Sequence, residues 1–253
     1  MPSLNSLVSQ LDALLQPGQF KDYCPNGLQV QGAGTVQRLV SGVTACQALI
    51  DAAVDWDADA ILVHHGYFWR GEEPCIVGMK QRRIAQLLKN DISLLAYHLP
   101  LDAHPELGNN AQLGRLLELP NGEALDPEDR AGVGNVAQLD QPLSINGLLS
   151  RLEGLTGQTP LHIGDPVAEV QRVAWCTGAA QSYIEQAVAA DADVFITGEA
   201  SEQTVHVARE CGIHFIAAGH HATERYGVQA VAEHLAALNP DLEHRYIDIA
   251  NPV

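Results

Sequence analysis

Apolar side chains recur at helical spacing through Leu4, Leu7, Val8, Leu11, Leu14 and Leu15, which predicts an opening amphipathic helix over Leu4–Leu15. Asp22-Tyr-Cys-Pro-Asn-Gly27 interrupts that pattern, because Pro25 excludes helix and Asn26-Gly27 favours a turn. Leu28–Gln31 alternates like a short strand. From Arg38 the period switches repeatedly between strand and helix: strand Arg38–Val43, helix Ala45–Val54, strand Ala60–Val63, helix Met79–Leu88, strand Ile92–Ala96 and helix Pro105–Leu117. Glu118–Arg130 is polar and holds Pro120, Gly122 and Pro127, so a linker or exposed loop is expected. Beyond it the pattern predicts a strand at Val133–Leu139 and a helix from its N-cap Ser144 to about Leu152. A long amphipathic helix from about Thr223 to Leu238 and a closing strand near Arg245–Ile249 complete the chain.

The second half repeats the first. Arg38–His65 lies over Arg172–Glu199 without a gap, with nine identical positions running from Arg38/Arg172 to Asp59/Asp193. Ile92–His98 likewise resembles Ile213–His220, with one extra residue in the later copy. An ungapped match across strand, helix and strand implies two copies of one α/β unit. The fold class expected is α/β, built from two similar, internally duplicated units that face each other across a metal site. The expected domains are residues 1–125 and 126–253, interleaved to the extent that the C-terminal helix packs on the first.

Composition narrows what such a protein does. Hydrophobic residues make up 46% of the 253, enough for a sizeable core. No apolar run approaches the ~20 residues that a membrane-spanning helix needs. The start Met-Pro-Ser-Leu-Asn-Ser lacks the basic and apolar regions of a secretory signal. Five scattered cysteines, never paired as Cys-x-x-Cys, suit a reducing cytoplasm and argue against a thiolate zinc site. A net charge of −17 opposes broad nucleic-acid binding unless cations are concentrated in one place.

The candidate chemistry lies at strand ends. Ile61-Leu-Val runs into His64-His65-Gly66, and the carboxyl ends of strands are where open α/β sheets place ligands. His98 precedes Asp102 by four residues, and His220-His221 precedes Glu224 similarly. Imidazoles and carboxylates without thiolate suit zinc, iron, manganese, cobalt or nickel. Donor counting leaves one ion or two open, with water completing the coordination. Competing structural readings make His98 a core histidine bonded to a backbone carbonyl and turn His221 toward solvent or an interface. His104, His206, His214, His234 and His244 are read as structural or surface residues, and Asp57 and Asp59 as turn chemistry. Glu199, in the place of His65 in the second copy, is a lesser candidate for a role near the site.

Four motifs in order, Asp22-Tyr-Cys-Pro-Asn-Gly-Leu-Gln-Val30, Val63-His-His-Gly66, Tyr97-His-Leu-Pro-Leu-Asp102 and Gly219-His-His-Ala-Thr-Glu224, resemble the Nif-three-like dinuclear-metal family. Its bacterial members are also called type 2 GTP cyclohydrolase I homologues, and the likeness is to the short YbgI type. The resemblance implies two divalent metal ions held by His64, His65, Asp102, His220 and Glu224, with His98 orienting a ligand or a bound water. It also implies a toroidal homo-hexamer of two-domain subunits. Gly66-Tyr-Phe-Trp69 departs from the proline that many relatives carry after the histidines. The implied activity is metal-dependent hydrolysis of a small molecule, cyclohydrolase-like and with a nucleotide among the candidate substrates. The alternative is a non-enzymatic metal-binding ring, a scaffold or a metal-handling protein.

Overall fold

A computed structural model describes residues 1–128 and 132–253 of the chain. It divides into two compact units, Met1–Leu101 with Gly227–Ala250, and Asp102–Tyr226 with Asn251–Val253. The chain thus changes units at 101/102, upstream of the expected 125/126, and returns at 227 for its last helix and strand.

The first unit opens with α1 (Leu4–Leu15), capped by the Ser3 side chain, which accepts from the Ser6 amide. It burying face is Leu4, Leu7, Leu11 and Leu15, one side of the helix. The unit continues with β1 (Gly27–Val30), β2 (Arg38–Thr44), α2 (Gln47–Asp55), β3 (Ala60–His65), α3 (Gly78–Lys89) and β4 (Ser93–Ala96). The short α4 (Leu99–Ala103) carries the chain onward. In the second unit come α5 (Asn109–Leu116), β5 (Glu123–Ala124), β6 (Asn135–Ser144), α6 (Ile145–Thr156), β7 (Leu161–Ile163) and β8 (Glu169–Trp175). There follow α7 (Ile184–Ala189), β9 (Val194–Thr197), α8 (Glu202–Cys211), β10 (His214–Ala217) and α9 (His220–Thr223). The last elements are α10 (Arg225–Leu238) and β11 (Glu243–Tyr246).

The duplication is visible in the sheets. In one the order is β1-β4-β3-β2-β11, and in the other β5-β6-β8-β9-β10-β7. Each has three parallel strands at its centre, β2-β3-β4 and β8-β9-β10, with an antiparallel strand beyond the third. The shared turn residues do the same job twice. Asp57 and Asp191 both adopt φ 52°, the left-handed conformation that Asp tolerates. Asp59 Oδ2 accepts from the amides of Gln37 and Arg38, and Asp193 Oδ2 from those of Gln171 and Arg172, all within 2.8 Å. Turn chemistry is therefore what these aspartates perform.

Apolar burial fixes the helices onto the sheets. Val40, Ile61, Val63 and Leu94 pack with Leu49, Ile50, Ala53, Ile84 and Leu87 in the first unit. In the second, Val173, Trp175, Val194, Ile196 and Ile216 pack with Leu148, Leu152, Leu113 and Leu117. Each such side chain contributes about 1.5–3 kcal/mol by leaving water. The contribution of Leu113 and Leu117 to that core is why residues 102–125 belong to the second unit. The β11–β2 pairing likewise ties the C-terminal segment to the first.

Local differences from the expected elements have physical causes. Pro105–Gly108 is turn, and α5 starts only at Asn109. His104 Nδ1 accepts from the Glu106 and Leu107 amides there, offering the backbone an alternative to helix. The polar stretch contains the two-residue β5, while Asp129 and Arg130 lie outside the described residues. β6 runs on to Ser144, whose side chain caps α6 as expected, accepting from the Gly147 amide at 3.1 Å. The final helix is broken at Glu224, with φ −106° and ψ 10°, so it begins at Arg225 rather than at Thr223. Among the described residues no helix is long and apolar enough to cross a membrane. No disulfide joins the five cysteines.

Candidate metal centre

In the first unit, β3 is buried until its last residue, then delivers His64 and His65 at its carboxyl end. Although adjacent on one strand, their ring centroids are 4.4 Å apart. Each ring has its own anchor. His64 Nδ1 lies 3.0 Å from the Tyr97 carbonyl, which can only accept, so Nδ1 carries the proton and Nε2 the lone pair. His65 Nδ1 lies 3.3 Å from Thr44 Oγ1 on the neighbouring strand. His98, just past β4, joins them: His64, His65 and His98 each offer a nitrogen, all within 4.8 Å of one another.

His98 is not bonded to a backbone carbonyl through its ring, as the structural reading has it. Its Nδ1 meets Asp22 Oδ1 at 2.7 Å. Asp22 also accepts from Tyr23 N, Asn26 Nδ2 and Leu99 N at 2.6–2.9 Å. Asn26 Oδ1 in turn accepts from the His98 amide at 2.7 Å. The Asp22–Gly27 turn is thus a clamp on the His98 backbone and ring, a role the turn residues alone did not disclose. Cys24, Asp22 and His98 also lie within metal-chelating range. The Asp22 carboxylate already accepts four hydrogen bonds, and burial, then the Asp22 charge, push the Cys24 thiol up to about 12. The Trp69 ring stands edge-on to His98, with centroids 4.9 Å apart.

Burial opposes charge on Asp22, but hydrogen bonds from His98, Asn26 and Tyr23, with the His98 charge, hold its pKa at about 2. A carboxylate depressed below its ordinary 3.8 stabilises the fold fully above about pH 4 and loses that contribution as pH falls toward 2. Asp22→Asn is therefore expected to cost about 2 kcal/mol at neutral pH and to flatten the acid limb of stability between pH 4 and 2. Urea unfolding of chelator-treated protein across that range measures both effects.

The second unit holds the remaining candidates. Asp102, on α4, is buried, and its Oδ1 accepts from Asn109 Nδ2 at 2.9 Å and Thr177 Oγ1 at 3.5 Å. Residue 178 follows at once, and there the chain passes beside Glu224. The Glu224 side chain is 4% exposed, and its Oε2 lies 3.1 Å from His220 Nε2. His220 Nδ1 meets Glu199 Oε1 at 2.7 Å. Burial disfavours the imidazolium, yet the hydrogen bond and charge of Glu224, and then those of Glu199, raise the His220 pKa to about 9. Thr223, wholly buried, ties this corner together by accepting from the Gly178 amide and donating to the His220 carbonyl.

His221 is buried rather than turned into solvent, because the short α9 begins at His220 and folds its second residue inward; its amide donates to the Val253 carbonyl. His244 is structural, bonded to Ser41 Oγ, and His214 packs on His162.

The three imidazoles at the strand ends of the first unit, and the buried carboxylates and imidazole of the second, are each donor sets suited to divalent cations. Buried carboxylates need a compensating positive charge, and these donors match the zinc-to-manganese class. Fold and donor chemistry together define a duplicated α/β protein with a candidate metal centre. The chain belongs to the family described as Duf34/NIF3 (NGG1p interacting factor 3), whose profile matches residues 2–252.

Named relatives agree. A Pseudomonas aeruginosa protein called GTP cyclohydrolase 1 type 2 homolog is 55% identical over 250 residues, covering 99% of this chain and 98% of its own. An Escherichia coli K12 protein of the same name is 54% identical over 239 residues, 94% of each chain. A solved structure titled protein ybgI, of unknown function, aligns over all of both chains with 50% identity and a TM-score of 0.94. Reduced HcgD from Methanocaldococcus jannaschii, at 22% identity and TM-score 0.85 over 98% of each chain, shares the fold.

Proposed function

We propose that His64, His65, Asp102, His220 and Glu224 hold two divalent metal ions, and that the protein is a metal-dependent hydrolase of a small molecule. The observation that carries this reading is the trio of imidazole nitrogens within 4.8 Å in the first unit, one with its lone pair fixed outward by the Tyr97 carbonyl. Bound divalent ions would supply Lewis acidity and lower the pKa of a coordinated water toward neutrality. The chain's own part is to orient and balance charge. Asp102 and Glu224 would offset the cations' charge, and the Asp22 clamp holds His98 by Nδ1, leaving Nε2 as the nitrogen through which it would relay a proton. The relatives' name makes a cyclohydrolase-like ring opening of a purine nucleotide the first reaction to assay. Phosphoester and amide hydrolysis are compatible with the same donors.

Glu224→Ala and His64→Ala are each expected to lower bound metal sharply in protein purified without chelator, while circular dichroism stays that of the parent. Undiminished metal by elemental analysis would remove that residue from the ligand set. Turnover of GTP or of a nucleotide and phosphoester panel by metal-loaded protein would support the hydrolase. Exchangeable metal with no turnover would favour metal handling instead. We propose in addition a homo-hexamer, so light scattering should give six times the 27.2 kDa chain mass.

A further inference from the structure

We propose that Glu199 is the positioning residue of His220: its carboxylate, on Nδ1, fixes the tautomer and rotation that turn Nε2 toward the metal. The inference rests on His220 being a ligand, as proposed above.

The His220 ring is held by polar contacts at both of its nitrogens. The His220 side chain is 25% exposed, and Gly219, with φ 97°, precedes it. What grips the imidazole is a carboxylate at each nitrogen, Glu199 at 2.7 Å and Glu224 at 3.1 Å. Glu224 is itself assigned to the metal. Glu199 holds the nitrogen on the opposite side of the ring. Its backbone is well placed for that, since only Gly198 separates it from β9 and the Gly219 amide donates to the Gly198 carbonyl at 2.9 Å. An imidazole whose Nδ1–H is held by a carboxylate presents Nε2 as a more basic donor in a single orientation.

The internal repeat supplies a second, independent observation. His220 follows β10 as His98 follows β4, and each has its Nδ1 on a carboxylate at 2.7 Å. The carboxylates come from unrelated places. Asp22 lies in the turn before β1, whereas Glu199 occupies the position that is His65 in the first copy. The equivalent imidazole of each copy is thus held at the same ring nitrogen, by a carboxylate from a different place in the chain.

The test is metal affinity, measured by Zn²⁺ competition against a chromogenic chelator, together with the visible spectrum of the Co²⁺-loaded protein. Glu199→Ala is expected to weaken binding by about 10–100-fold and to alter the Co²⁺ spectrum. Glu199→Gln, whose amide oxygen still accepts from Nδ1, should recover much of the affinity. Melting of the metal-free variants should stay within a few degrees of the parent, as Glu199 is about one-third exposed and its pair with His220 is partly screened by solvent. Parent affinity and an unchanged Co²⁺ spectrum in Glu199→Ala, with His220→Ala strongly weakened, would overturn this inference and leave the ligand assignment standing. Parent affinity in His220→Ala would overturn the assignment, and this inference with it.

Discussion

Gly178→Ala is expected to give a folded chain whose metal affinity has fallen by ~100-fold or more, a larger loss than removal of a supporting carboxylate produces. A Cβ built on Gly178 would stand 1.9 Å from Glu224 Oε1, 2.9 Å from its Cδ and 3.3 Å from His220 Nε2. Those atoms are the far ends of side chains rather than backbone, so they can give way at less cost to the fold than a backbone clash. They are also the atoms proposed to bind metal, so swinging aside disarms the site. The backbone adds a modest penalty, because Gly178 has φ 73°, where an L side chain costs roughly 1–2 kcal/mol. Elemental analysis and thermal melting of the variant separate the two effects. Parent-like metal content would show that Glu224 and His220 need not sit where they do.

Gly198→Ala should do the opposite and strike the fold. Its Cβ would meet the Gly178 carbonyl oxygen and His220 Cα at 2.6 Å and the His220 amide nitrogen at 2.8 Å. All three belong to backbone, and the Gly178 carbonyl already accepts from Gly198 N and Thr197 Oγ1. Relief requires the ends of neighbouring chain segments to move apart, breaking those bonds. Overpacking of this kind costs about 3 kcal/mol, which for a chain of this size lowers the melting temperature by roughly 10 °C. Melting of the metal-free protein measures it; an unchanged midpoint would contradict the packing described. The same contact explains an asymmetry of the repeat. Position 198 corresponds to His64 of the first copy, and the second copy has no room for a side chain there.

Much of the fold was legible in the chain. The α1 boundaries followed from leucines at helical spacing, and the paired units from an ungapped repeat whose Asp59 and Asp193 proved to make the same two backbone bonds. Asp22 was legible only as a turn former, because its bond to His98 joins residues 76 apart. Glu199 was visible only as the counterpart of His65, with no local pattern pointing to His220. The inward turn of His221 and the break at Glu224 depend on a four-residue helix that no periodicity announces.

The sequence by itself determined what repeats locally: which stretches are strand or helix, that one α/β unit occurs twice, and which histidines and carboxylates stand at strand ends. Side-chain period and turn preference are short-range properties, readable without coordinates. The tertiary structure decided which group each imidazole nitrogen meets, which carboxylates lie against which rings, and where a single methyl group is forbidden. Those outcomes depend on contacts between residues distant in the chain, set by the packing of strand ends and loops, on which local preference is silent.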